Sequence, residues 1–202
     1  MRKIFAGMAL MCVLMVSGQS VWAAASAETV IQRTTERVLK NPYLLKNPKL
    51  VKGIVKGVFD FRKMSRLVLG KNWRLRKIKR LKEKKRLRKR FTRAFRDLLI
   101  RTYSNALAEA AGMVKEIKYS STRRNAKRTT VHSKVYRRNN SAPVNIDYVM
   151  YKRKSRSNWK VYNVIVEGVS LVTTYRTEFG RDIRRIGIKG LIKKIQRKNR
   201  ES

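Results

Sequence analysis

The side chains that could do chemistry are few. His132 is the only histidine and Cys12 the only cysteine. His132 falls among polar neighbours in a run of alternating residues, which is the pattern of a surface position on a strand. Nothing matches a zinc spacing, a phosphate loop or a nucleophile elbow. The carboxylates Asp60, Asp97, Asp147, Glu167 and Asp182 are scattered, and sequence alone pairs none of them for hydrolysis. What the chain holds in quantity is positive charge: 52 Lys and Arg against 12 Asp and Glu, a formal net charge of +40. Such a balance attracts polyanions. The expectation is a binding or carrier protein, not an enzyme, with no metal and no cofactor.

The compartment follows from the first residues. Arg2 and Lys3 precede an apolar run from Ile4 to Val16, and small residues follow at Ala23, Ala24, Ala25, Ser26 and Ala27. The run suits the core of a secretory signal and is short for a membrane span. Residues 1–27 therefore read as a signal peptide with cleavage after Ala23, Ala25 or Ala27. Residues 28–198 read as one domain and 199–202 as a charged tail. Cys12 leaves with the leader, so the mature protein has no disulfide, and a periplasm fits better than a disulfide-stapled secreted scaffold. Hydrophobic residues at 43 % of the chain argue for a real core. Export also turns the polyanion expectation away from nucleic acid, for which no reading motif is present. Anionic lipid, lipopolysaccharide or an acidic partner protein remain.

The elements that must position these residues are legible by period. Residues 28–40 alternate at helical spacing up to Asn41-Pro42. Asn47-Pro48 reads as a cap and first turn for a helix with Leu50, Ile54, Val55 and Val58 on its apolar face. Asp60 caps a short helix through Met64, Leu67 and Val68 to Gly70. From Leu87 to Ala111 an apolar stripe predicts one long amphipathic helix. After Gly112 the period becomes two. Four strands are expected, at 114–121, 129–137, 143–150 and 158–166, joined by short polar links as an antiparallel sheet. The last has apolar residues on both faces: Trp159, Val161 and Ile165 on one, Tyr162, Val164 and Val166 on the other. That pattern calls for helices over one face and a second cover over the other. Gly168 breaks the strand, Ser170 caps a helix ended by Gly187, and Gly190 to Ile195 form a last short helix.

Two blocks then carry a resemblance. Residues 59–73 (FDFRKMSRLVLGKNW) and 159–176 (WKVYNVIVEGVSLVTTYR) resemble the signature blocks of the MlaC, or toluene-tolerance Ttg2D, family. Residues 91–103 (FTRAFRDLLIRTY) and 181–192 (RDIRRIGIKGLI) fit it in colinear order. The resemblance implies a soluble periplasmic carrier of phospholipid. It implies partners too: a lipoprotein-porin complex at the outer membrane and an ABC transporter complex at the inner membrane. It implies an α+β fold, a twisted antiparallel four-stranded sheet packed with a helical bundle around an apolar lipid cavity. On that resemblance the pocket candidates are Val58, Met64, Leu69, Trp73, Phe95, Leu99, Tyr103, Ile146, Tyr148, Tyr162, Val164, Val169, Val172 and Tyr175. Arg66, Arg101 and Arg176 are candidates for the phosphate. The expected pocket is elongated, apolar and several hundred Å³ in volume, in the range of ligand sites generally.

The link between Trp73 and Phe91 departs from the family pattern, being longer and almost wholly basic. From Arg74 to Arg93 its only acid is Glu83. So many like charges cannot be buried and must face water. The stretch is either a plain solvated helix face or a docking surface for an anionic membrane or acidic partner. A rival for the whole chain is a basic envelope-surface or structural protein whose core is filled and has no lipid cavity.

Overall fold

The computed structural model describes residues 25–76, 78–139, 141–154 and 158–201. Of the leader read at 1–27, residues 1–24 lie outside them. Helix α1 (Ala27–Lys40) begins at Ser26, whose hydroxyl accepts from the Thr29 amide at 3.0 Å. A 3-10 turn (Pro42–Lys46) leads to α2 (Pro48–Val58), capped as expected by Asn47, whose Oδ1 accepts from Lys49 and Leu50. Helix α3 (Phe61–Leu69) is capped by Asp60, which accepts from the Lys63 amide at 2.8 Å. It stops at Gly70, whose φ of 51° costs glycine little and other residues more. A second 3-10 turn (Gly70–Arg74) follows.

Helix α4 (Leu81–Met113) is longer than the apolar stripe indicated. Its basic first turns are helical, although Leu81 is exposed there and Leu87 is the first buried side chain. Lys and Arg are good helix formers. Glu83 accepts an ion pair from Lys189 at 2.8 Å, which ties the start of α4 to the last helix.

The sheet is an antiparallel meander, β1 (Val114–Asn125), β2 (Arg128–Arg137), β3 (Val144–Tyr151), β4 (Lys160–Val166) and β5 (Val169–Ser170), in that order. The expected four strands are therefore five. Gly168, at φ 77°, and Glu167, at φ 47°, turn the chain back so that Val169 and Ser170 pair with Val166 and Ile165. At its other end β4 meets Phe59 in a parallel bridge at Val161.

The two-faced reading of β4 is corrected by a β-bulge. Val164 faces Tyr148 and Asn163 faces Val149, but Met150 then faces Val161, which leaves Tyr162 as the extra residue. The bulge resets the alternation. Trp159 and Val161 join Val164 in the same apolar core, where the simple alternation had put them on opposite faces.

Helix α5 (Leu171–Glu201) starts at Ser170, whose hydroxyl accepts from the Thr173 amide as expected. It is two helical pieces joined at Gly187, where φ is 66° and ψ 174°. The second piece starts directly after that kink, earlier than Gly190. It continues into the segment read as a tail as far as Glu201, and Asn199 donates to the Ala94 carbonyl at 3.0 Å.

Candidate functional site

The apolar side chains do not form one core. On the sheet, Val131, Met150, Trp159, Val161 and Val164 pack with Ala27 and Ile31 of α1. In the helical layer, the rings of Phe91, Phe95, Tyr175 and Phe179 cluster with centroids 5.3 to 5.9 Å apart. A third cluster, around Leu45, Val51, Ile100 and Ala108, joins α4 to α2 and the first 3-10 turn. Half-buried Phe59 borders both of the first two. Bundle and sheet thus meet along a seam instead of sharing a single interior.

The expected pocket residues divide along that seam. Val58, Ile146 and Tyr148 are half-buried against the sheet core, and Val164 is part of it. Met64, Leu69, Phe95, Leu99, Val172 and Tyr175 belong to the helical core. Phe95 is 0 % exposed and surrounded by rings, so its apolar surface is already used by the protein. Tyr103 and Tyr162 stand at the border of that core. Tyr103 is hydrogen-bonded to the Tyr175 hydroxyl. Tyr162 turns its ring to Lys63, whose ammonium lies 4.0 Å from it and 3.1 Å from the Tyr151 ring. The Tyr151 hydroxyl in turn donates to Asp60, so this group fastens the start of α3 to β3 and β4. Val169, 59 % exposed at the β4–β5 turn, lies outside both cores. Trp73 packs against the helical core and lines a cleft to which no strand contributes.

The inner face of the sheet has a distinct electrostatic character at its centre. Burial pushes the Tyr148 phenol up to about 12, although a hydrogen bond with Ser133 acts in the other direction. Burial likewise raises Tyr119, which bonds to Thr35 of α1. Yet Tyr148 retains accessible surface.

Of the phosphate candidates, Arg66 and Arg176 open onto one cleft of about 990 Å³ between α3, the Gly70–Arg74 turn and α5, where Trp73 also lies. Arg101, on α4, is not among its lining residues. On the outer face of the sheet His132 Nδ1 pairs with Asp147 at 2.8 Å and its Nε2 meets the Thr122 hydroxyl at 3.0 Å. Both members of the pair are more than a third exposed, and they act as a cross-strand contact on an open surface. Among the described residues no group of His, Cys, Asp and Glu is arranged to hold a metal ion.

Sequence reasoning passed over Phe59, Tyr119, Val166 and Leu171, which border the sheet core. Val166 and Leu171 carried a signal, lying within the same β4–α5 block as the chosen residues. Phe59 opens the 59–73 block, but its place beside the sheet core comes from the bridge to Val161, which sequence does not show.

A family model described as MlaC protein matches residues 26–197. Among solved structures, a phospholipid-binding protein from Ralstonia solanacearum, in complex with a phospholipid, is similar. It is 26 % identical with a TM-score of 0.69, over 88 % of this chain and 98 % of that one.

Proposed function

The chain belongs to the MlaC family, and from that premise we propose that it is a periplasmic phospholipid carrier which holds acyl chains along the seam between sheet and helices. The observation that carries the reading is the division of the apolar side chains into two cores, one on the sheet and one in the helical layer, with Ile146 and Tyr148 only half-buried beside the first and Tyr103 and Tyr162 beside the second. The phospholipid held by the Ralstonia solanacearum protein supports the same ligand class. Each methylene shielded from water contributes about 0.8 kcal/mol, so an apolar seam can retain a diacyl lipid without strong headgroup contacts. The mechanism is shielding, and no bond is made or broken.

As a carrier it would take lipid at one membrane and release it at the other. Its partners on this reading are a lipoprotein-porin complex at the outer membrane and an ABC transporter complex at the inner one. Residues up to Ala23 or Ala25 would be removed on export. Cleavage after Ala27 would delete the Ser26 cap and the buried Ala27 side chain, so the earlier sites fit the fold better. The intact mass of the secreted protein checks this.

Native mass spectrometry of protein purified without detergent tests the function. The expected result is a bound mass equal to a diacyl phospholipid. A homogeneous bare protein after gentle purification would favour the envelope-surface reading without a cavity.

A further inference from the structure

We propose that the cleft between α3, the Gly70–Arg74 turn and α5 is a second site, which seats the phosphate headgroup of an anionic lipid while that lipid remains in a bilayer. No strand contributes a lining residue, so the cleft is separate from the seam. Arg66, Lys71, Arg74, Arg76, Arg176 and Arg184 line it, and no carboxylate does. None of the six takes part in any of the ion pairs found among the described residues. Like charges gathered around one concavity repel, and an anion seated among them relieves that repulsion.

Three features make this more than a charged surface. First, the Arg176 guanidinium is packed on Gly70: a Cβ at that position would lie 2.8 Å from its Nη2. Gly70 ends α3, so the guanidinium sits at the negative end of a helix, which steadies it in place. Second, five of the six cations are arginines, whose planar fork matches phosphate oxygens two at a time. Third, the floor is apolar. Trp73, Leu75 and Ile188 line it, and Trp73 is fixed by Arg88, which donates to its carbonyl at 3.0 Å and stacks 5.3 Å from its ring.

The occupant follows from that combination. A cationic rim over an apolar floor fits a phosphate joined to a glycerol and the start of an acyl chain. The surroundings fit a membrane surface as well. Exposed Ile186 and Leu81 lie among cations at this end of the molecule, and a second basic groove of about 580 Å³ runs along α5 through Arg185, Lys193 and Arg197. Apolar side chains interleaved with Lys and Arg are the pattern of elements that rest on anionic bilayers.

The test is co-sedimentation of the mature protein with vesicles of phosphatidylglycerol and phosphatidylcholine. The triple variant Arg66→Gln, Arg176→Gln, Arg184→Gln should bind on the order of a hundredfold more weakly, given what each cation near such a surface contributes. A control triple at the β1–β2 hairpin, Arg123→Gln, Arg124→Gln, Lys127→Gln, removes the same charge and should lose less than about threefold. Equal losses would show that total charge, not the cleft, binds the membrane, and would overturn the proposal. Changing the three cleft arginines to lysine should weaken binding by about fivefold or more; full retention would overturn the guanidinium clasp. Free glycerophosphoglycerol at millimolar concentration should leave vesicle binding in place. Full competition would reassign the cleft to soluble phosphate esters. Cleft-dependent binding of a Glu-rich peptide without vesicle binding would reassign it to an acidic protein. If the triple variant misfolds by circular dichroism, Lys71→Gln with Arg74→Gln provides the same comparison at exposed positions. Bound lipid counted by native mass spectrometry on the same samples reads the carrier proposal separately, because wild-type protein that holds no lipid but binds vesicles through the cleft would sink only that one.

Discussion

Tyr148 shows how a half-buried position differs from a packed one. Periodicity makes Ile146, Tyr148, Val164 and Val172 look alike, but their surroundings differ. Ile146 keeps accessible surface on the inner sheet face, whereas Val172 is buried in the helical core and its amide is held by Asn163. Ile146→Trp is therefore expected to reduce co-purified lipid severalfold while the melting temperature changes little. Val172→Asp should cost more than about 4 kcal/mol, because it places an unpaired carboxylate in a packed core; retained stability in denaturant titration would show that Val172 borders open space. The tyrosines give a pH test. The phenols of Tyr148 and Tyr151 are both raised to about 12, and Tyr175 is raised as well, each chiefly by burial. A folded pKa above the unfolded value of about 10 means their contribution is complete below pH 10 and is lost as pH climbs through 12. In an ultraviolet titration these phenols should ionise late, together with alkaline unfolding. Normal ionisation of every tyrosine near pH 10 in folded protein would contradict their burial.

Among the elements, α5 depends most on a single joint. Gly187 lies at a backbone conformation closed to side chains, and the two pieces on either side are tied by Asp182, which is buried and accepts from Lys194 at 2.7 Å across the kink. Gly187→Ala should cost roughly 1 to 3 kcal/mol through backbone strain. Asp182→Ala should cost about 2 kcal/mol, at the low end for a buried pair since Lys194 is 41 % exposed. Thermal melts of both variants check this, and a neutral effect of either would mean the second piece of α5 is not anchored through the kink. Gly187 was legible as a break, but sequence could not show that helix resumes at once, because part of the support lies in Glu83 and Ala94, distant in the chain. The caps at Asn47, Asp60 and Ser170 were legible because capping is local chemistry. The bulge at Tyr162 was not, since no glycine marks it and only the pairing of Met150 with Val161 reveals it. The candidate site suffered accordingly. Its blocks were visible, but which of their apolar residues pack and which line depends on how two layers meet.

Over the whole molecule, like-charge repulsion adds to the conformational entropy that opposes compactness. A formal +40 with few acids to offset it makes the folded state repel itself. Stability should rise as salt is added from about 10 mM to 150 mM, as the screening length shrinks from about 30 Å to 8 Å. Melting temperatures in sodium chloride measure this, with binding to anionic vesicles falling over the same range. A melting temperature independent of salt would mean that the cations are far enough apart not to interact.

Helix α4 passes into β1 at Met113–Val114 without a loop, so its basic first turns and the sheet belong to one continuous element. Its 33 residues span about 50 Å at 1.5 Å each. Glu83 near its start holds Lys189 of α5, and the Ala94 carbonyl further along accepts from Asn199. The rod is thus a splint: a load placed on its charged turns reaches the sheet with no loop in between to absorb it.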